Sequence, residues 1–363
     1  MQTRTHRSGP SESLIPNPQS RRRASGGTPQ AQSYTPPPMT RLFRDPLGPC
    51  IAPRGSIVCV GAFDGLHLGH RALLGEVVAR ARASGLQAVA LSFEPLPREH
   101  FARANPPARL QLPRSRFEGL AALGCDAVGL LRFNAALASM SAEDFVREVL
   151  VERLNAREVW VGPDFRFGRA RVGDVDLLKR MGAELGFAAH ALDIVTCVDG
   201  KRVSSSRIRD SLAAGALELA SSLLGRPYAI SGRVVRGQQL GRTLGYPTAN
   251  QRFGRCVPAL WGVYAVRAHG IGDAPLAGVA SLGTRPVVQG REPLLETHIF
   301  DFSGDLYGRR LSIEFVAKLR DELNFPDLPA LIVQMDRDAA RAREILSSVP
   351  AAALGRPASW SPA

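Results

Sequence analysis

The chain is short of cysteine, of long apolar runs and of acid, and each shortage narrows what it can be. Its five cysteines (Cys50, Cys59, Cys125, Cys197, Cys256) are scattered over 363 residues with no CxxC pair. An odd, dispersed set argues against a disulfide framework or a cysteine zinc site and suits a reducing, cytoplasmic setting. No stretch approaches the roughly 20 apolar residues that span a bilayer, and no membrane partner is expected. The start lacks the basic-then-apolar pattern of a secretory signal. Acid is outnumbered, 33 Asp and Glu against 46 Lys and Arg, for a net charge of +13. Arginine far outnumbers lysine and is spread along the chain, so the charge does not make nucleic acid the primary partner. Polyphosphate substrates favour a positive surface just as well.

What is present is enough apolar material, 45% of the residues, for two cores. Residues 1–38 carry five Arg, one Glu and much Ser, Pro and Gln. Such a segment cannot bury enough surface to offset its ordering entropy, so it is expected to be a disordered tail. From about Ser56, strand-like runs (IVCVGAF, AVALSF, DAVGLL, EVWVG) alternate with helical ones (HRALLGEVVARARASG ending at Gly85, and SAEDFVREVLVERL capped by Ser141). That alternation predicts an α/β domain over 39–224, a parallel sheet covered on both faces. After LLGRPY the pattern changes to short strands separated by Gly and Pro, followed by a helix over PDLPALIVQMDRDAARAREIL. A small antiparallel β-barrel with a C-terminal helix is expected over 225–349, and a flexible tail from 350 to 363.

Two motifs carry chemistry. GAFDGLHLGHRALL (61–74) sits between a strand and a helix. Glycines there let backbone N–H groups approach phosphate, and the helix N-terminus adds partial positive charge. His67 and His70, three apart, can both reach one phosphate and hold charge that develops on phosphorus. Downstream, SSSRIR (204–209) offers Ser204, Ser205 and Ser206 at a helix start, with the planar fork of Arg209. The second motif, GQQLGRTLGYPTANQ (237–251), spaces Gly237, Gly241 and Gly245 four apart before a proline-fixed turn. The neutral oxygens of Thr248 and Asn250 that follow suit Mg²⁺.

The first motif resembles the HxGH signature of the nucleotidylyltransferase superfamily, and SSSRIR is similar to its serine-rich, IR-ended segment. LSFEPLPREHF (91–101) and VGPDFRFGRARVGD (161–174) resemble the flavin-side segments of bacterial FMN adenylyltransferases. LGYPTAN resembles the PTAN signature of riboflavin kinases, and LETHIFDFSGDLYG (295–308) is similar to their acidic strand motif. In that order the motifs resemble the bifunctional riboflavin kinase and FMN adenylyltransferase family, from about residue 40 to 348. Ala62, Leu96, Pro163 and Ser281 depart from the usual pattern.

The resemblance implies a Rossmann-like first domain with His67, His70 and Arg209 catalytic. Gly61, Phe63, Asp64, Gly65, Gly69, Ser204, Ser205 and Ser206 would lie at ATP, and Phe93, Pro95 and Asp164 at flavin. In the second domain it implies Glu296 as general base near the riboflavin 5′-hydroxyl, Gly237, Gly241 and Gly245 at the nucleotide, and Thr248 and Asn250 on Mg²⁺. The implied substrates are riboflavin, FMN and ATP, with assembly into homo-oligomers left open. Two other readings stay open on the residues alone: one domain retaining activity while the other has lost it, and a flavin- or RNA-binding regulator built on the same fold.

Overall fold

The computed structural model describes residues 39–350 apart from 198, 238–240, 242–243 and 288–289; the side chains of 285–291 and the tails expected at 1–38 and beyond 350 lie outside the described residues. Six strands form a wholly parallel sheet: β1 (Arg41–Phe43), β2 (Ser56–Val60), β3 (Gln87–Glu94), β4 (Ala127–Arg132), β5 (Ala156–Val161) and β6 (Ala188–Ala191). Their order is β1-β4-β3-β2-β5-β6, so the chain runs outward from β2 in one direction and returns to β2 before running in the other. The carboxyl end of β2 is therefore the switch point, where such sheets open a crevice for ligands.

Every residue of β2 is buried. Ile57 and Cys59 join one core with Leu73, Leu74, Val77 and Ala81 of helix α1 (Leu68–Ser84). Val58 and Val60 join the opposite core with Phe145, Val149 and Leu178. Alternate residues of one apolar strand thus fill two cores, as a sheet covered on both faces requires. Gly85 ends α1 in the left-handed conformation, at φ 68. Six further helices follow: α2 (Pro97–Phe101), α3 (Pro113–Ala122), α4 (Ala135–Ser139), α5 (Ala142–Asp144), α6 (Val175–Leu185) and α7 (Ser205–Ala213), with α8 (Leu217–Leu224) completing the domain. Ser141 caps α5 as its sequence predicts, but the turns over Phe145–Arg153 are wider π turns, where Leu154 N–H reaches back to the Val149 carbonyl at 3.1 Å.

The second sheet is antiparallel throughout: β7 (Ala229–Arg233), β8 (Thr248–Arg252), β9 (Gly262–His269), β10 (Leu276–Val287), β11 (Gly290–Ile299) and β12 (Arg310–Arg320), in the order β7-β12-β9-β10-β11-β8. Val235 N–H donates to the Asn250 carbonyl at 2.8 Å, and the Gln251 amide reaches the carbonyls of Gly232 and Leu311. These bonds draw the edge strands β7 and β8 together into a near-closed barrel. Helix α9 (Leu328–Ser348), capped by Asp327, packs Ala339, Ala342 and Ile345 on Ala265 and Phe300.

Two features differ from the sequence reading. The sequence marks no strand after the proline-fixed turn, yet Thr248 and Asn250 lie on strand β8. That strand has one apolar residue, Ala249, and is held by its ladder and by the buried Gln251 rather than by an apolar face. Helices α7 and α8, on the first domain's side of residue 224, share a core with Tyr228, Ile230 and Tyr264 of the barrel through Ile208, Leu212, Leu217 and Leu223.

Candidate functional sites

The turn between β2 and α1 is tightly wound. Phe63 and Leu66 have positive φ (48 and 46) without being glycine, and Gly65 has φ 92. Such conformations cost about 1–3 kcal/mol each and persist only where surroundings enforce them. The enforcement is visible at Phe63, which is wholly buried and sets its ring edge-on to His70 at 5.3 Å. It is enforced also at Asp64, 1% exposed, whose carboxylate accepts the backbone N–H of Leu110 and Gln111. Phe63 thus supports the histidines from the core. Asp64 faces protein donors, among them Arg209 at 2.6 Å, rather than an anion.

His67 is the N-cap of α1: its Nδ1 accepts the His70 backbone N–H at 3.3 Å. When neutral, its proton is therefore on Nε2, which is left to donate. The two imidazoles stack at 3.6 Å between centroids and 15° between planes. A Cβ on Gly69 would sit 3.3 Å from the His67 ring, so glycine leaves that ring its place. Burial pushes the His67 pKa down to about 4, with Arg202 and Arg209 adding to the effect against its own backbone hydrogen bond. Burial, then His67, Arg116 and Arg209, holds His70 well below its usual value. Both imidazoles are therefore held neutral, and His70 Nδ1 is buried with no hydrogen-bond partner among the described residues.

This titration has a measurable consequence. Between pH 6.5 and about 4 the unfolded chain binds the His67 proton and the folded chain does not, so stability falls as pH drops through that window. The expected loss for His67 is about 3 kcal/mol. Urea midpoints measured from pH 7 to 4.5 should decline, and decline less in His67→Ser; equal slopes in both proteins would contradict the burial of a neutral ring.

Arg209, on α7, is fixed on two sides: Nε donates to the Ala108 carbonyl at 2.5 Å and Nη2 to Asp64. Ser204 caps α7 by accepting Arg207 N–H, and Ser205 donates to the Asp64 carbonyl at 2.8 Å. Ser204 thus starts the helix, Ser205 holds it against the β2–α1 turn, and Ser206 is exposed. Asp164 follows β5, is exposed, and pairs with Arg202, the same arginine that acts on His67. Phe93 lies one residue before the end of β3, half-buried, with Pro95 exposed two residues on. Phe93 meets Phe133 edge-on at 5.7 Å, and Phe133 meets His100 and Phe101 at 5.3 and 5.9 Å. Phe101 is 71% exposed, an apolar ring in water at the open end of this aromatic cluster. The reading of the sequence missed Phe133 and Phe101. Phe101 ends the quoted LSFEPLPREHF stretch, but nothing local marks Phe133 as its neighbour.

In the barrel, register assembles the second site. Glu296 on β11 lies directly opposite Asn250 on β8 and Ser281 on β10, and His298 lies opposite Thr248. Because side chains alternate along a strand, Thr248, Asn250, Ser281, Glu296 and His298 share one face. His298 Nδ1 lies 2.9 Å from the Pro247 carbonyl, and its ring meets Tyr246 edge-on at 4.9 Å, consistent with a supporting part. Asp301 is paired with Arg343, and Asp305 accepts Tyr307 N–H. The Asn250 amide nitrogen donates to the Thr248 carbonyl, while its oxygen is buried with no hydrogen-bond partner among the described residues.

Gly237 lies against that same side chain: a Cβ there would come 2.8 Å from the Asn250 amide nitrogen. Gly241 accepts Tyr246 N–H at 2.7 Å, and Gly245 is left-handed at φ 79. Gly237→Ala is expected to push the Asn250 amide aside. On the activities that the motif resemblance implies, it should raise the KM for ATP in riboflavin phosphorylation about tenfold, with FAD formation from supplied FMN unchanged. Steady-state kinetics of both reactions check this, and an unchanged KM for ATP in the first would separate the loop from the nucleotide.

The sequence model of FAD synthetase matches residues 51–207, and that of riboflavin kinase matches residues 224–346. Bifunctional riboflavin kinase/FMN adenylyltransferases of Escherichia coli strain K12 and Pseudomonas fluorescens are each 44% identical to this chain, over 290 and 293 residues. The matches cover 80% of this chain in both cases and 92% and 93% of those proteins. Among solved structures, a Streptococcus pneumoniae protein called a macrolide-efflux protein is 28% identical, with a TM-score of 0.68 over 86% of this chain and 99% of that one. No helix among the described residues of the present chain is long and apolar enough to cross a membrane.

Proposed function

Since the chain belongs to the bifunctional riboflavin kinase/FMN adenylyltransferase family, we propose a division of labour between its two sites. The chain phosphorylates riboflavin with ATP to FMN, and adenylylates FMN with ATP to FAD and pyrophosphate. The barrel performs the first step. There the Glu296 carboxylate takes the proton of the ribityl 5′-hydroxyl as that oxygen attacks the γ-phosphate of ATP. Little basicity is demanded, because the alcohol proton leaves late and positioning dominates.

Mg²⁺ fits the barrel face. The Asn250 oxygen, buried and unpartnered among the described residues, and the Thr248 hydroxyl on the same strand face are hard neutral donors, to be completed by nucleotide phosphates. Bound there, Mg²⁺ would neutralise charge on the phosphates flanking the transferred group. Asn250 and Thr248 orient the nucleotide, and Gly237, Gly241 and Gly245 let the preceding loop approach it.

The histidine site performs the second step. The FMN phosphate, already an anion, attacks the α-phosphate of ATP without a general base. His67 donates from Nε2 and His70 lies stacked beneath it, so both meet the charge spread over the transferring AMP. Arg209, locked by Asp64 and Ala108, presents a fixed guanidinium to the same phosphates. Phe93, Pro95 and the exposed Phe101 receive the flavin rings. The observation that carries this assignment is the stacked histidine pair at the sheet's switch point, with Arg209 anchored to the same turn. The nucleotide products test it: riboflavin and ATP should yield ADP, and FMN and ATP should yield pyrophosphate equal to the FAD formed. ADP released with FAD would overturn the assignment.

The net charge serves polyphosphate substrates in this reading. A cytoplasmic location accords with five free cysteines, two of them buried.

A further inference from the structure

A four-residue segment outside every recognised motif, Ala108–Arg109–Leu110–Gln111, holds two residues of the histidine site, Asp64 and Arg209. The Ala108 carbonyl holds Arg209, and the Leu110 and Gln111 N–H groups hold Asp64. Arg109 N–H donates to the Val257 carbonyl of the barrel domain at 2.7 Å, and the Leu110 carbonyl accepts the Tyr228 hydroxyl.

The Arg109 side chain, 2% exposed, faces the flavin end. Its Nε donates to Glu99 at 2.7 Å and its Nη1 and Nη2 to Glu94 at 2.8 and 3.2 Å, with a further short contact to Glu99. Glu94 ends β3 and Glu99 lies in α2, so one guanidinium clamps both ends of the loop that carries Pro95. Glu99 also accepts Leu96 N–H within that loop. Arg116, wholly buried, joins Glu94 to the carbonyls of Phe93 and Ala62. Two buried arginines and two partly exposed glutamates balance each other's charge, so losing a glutamate would leave a buried guanidinium with less counter-charge.

We propose that Arg109 is a positioning residue for flavin binding in adenylyl transfer: its clamp on Glu94 and Glu99 sets the Pro95–Phe101 loop, and its backbone registers that loop on the kinase barrel. The proposal rests on the assignment of adenylyl transfer to the histidine site. Arg109 touches no substrate; it acts through the loop. A lysine keeps the charge but lacks the planar fork that grips two carboxylates at once.

The test compares full-length Arg109→Lys and Glu99→Gln with the unaltered protein. The KM for FMN should rise about tenfold in Arg109→Lys and by a smaller factor in Glu99→Gln. The KM for ATP in the same reaction, and the phosphorylation of riboflavin, should stay within about twofold. Simple loss of folded enzyme would lower the maximal rate and leave KM for FMN unmoved, so the split identifies positioning. A folded Arg109→Lys whose KM for FMN stays put, or rises together with that for ATP, overturns the proposal. If Arg109→Lys loses kinase activity as well, the isosteric Glu99→Gln decides by the same criterion. Should the unaltered protein make no FAD from FMN, the assignment beneath the proposal fails, and the proposal with it.

Discussion

Replacing His67 with Ala is expected to lower FAD formation by about two to three orders of magnitude, the usual cost of removing one preorganised donor to a developing charge. FMN formation should be intact, because the kinase residues lie on barrel strands that His67 does not touch. Alanine also removes the cap of α1, a loss of about 1 kcal/mol that could by itself loosen the site. His67→Ser separates the two effects. Serine caps a helix as well as any residue but carries no imidazole N–H, so the variant should keep its melting temperature and lose its adenylylation. His70→Ala should show the same selective loss, since its ring lies 3.6 Å from that of His67. An active His67→Ser would mean that the histidine acts as a cap and nothing more.

The reciprocal result is expected at Glu296. Glu296→Ala should reduce FMN formation by about two to four orders of magnitude, the range of general-base contributions, while FAD still forms from supplied FMN. Glu296→Gln sharpens the point by preserving size and hydrogen bonding and removing only the basic carboxylate. A fall in kcat with KM for ATP unchanged would place the loss in the transition state. If Gln retained most of the activity, Glu296 would be a positioning group and not the base. Because Asn250 faces Glu296 across the β8–β11 ladder, Asn250→Ala is the contrasting variant, in which KM for ATP should move.

Much of this was legible because it was local. Gly85 ends α1, Ser141 caps α5 and β2 carries the apolar run IVCV, each a signal carried by a few neighbouring residues. His67 and His70 were legible for the same reason. Arg109, Arg116, Glu94 and Glu99 were not, since each alone reads as a solvated charge and only the folded chain brings them together around two buried guanidinium groups. Strand β8 was hidden by its polarity. Thr248 and Asn250 alternate with Ala249 and Gln251, but polar residues on both faces do not announce a strand. The anchoring part of Asp64 was not legible because its spacing in the motif is visible in the sequence while its partners, Leu110, Gln111 and Arg209, are far away along the chain.

The central claim, two successive activities at two sites of one chain, is tested most directly by one time course. Purified protein is incubated with riboflavin, ATP and Mg²⁺, and the three flavins are resolved by chromatography. FMN should appear first and then give way to FAD. FMN that accumulates with no FAD, or riboflavin that stays unchanged, would contradict it.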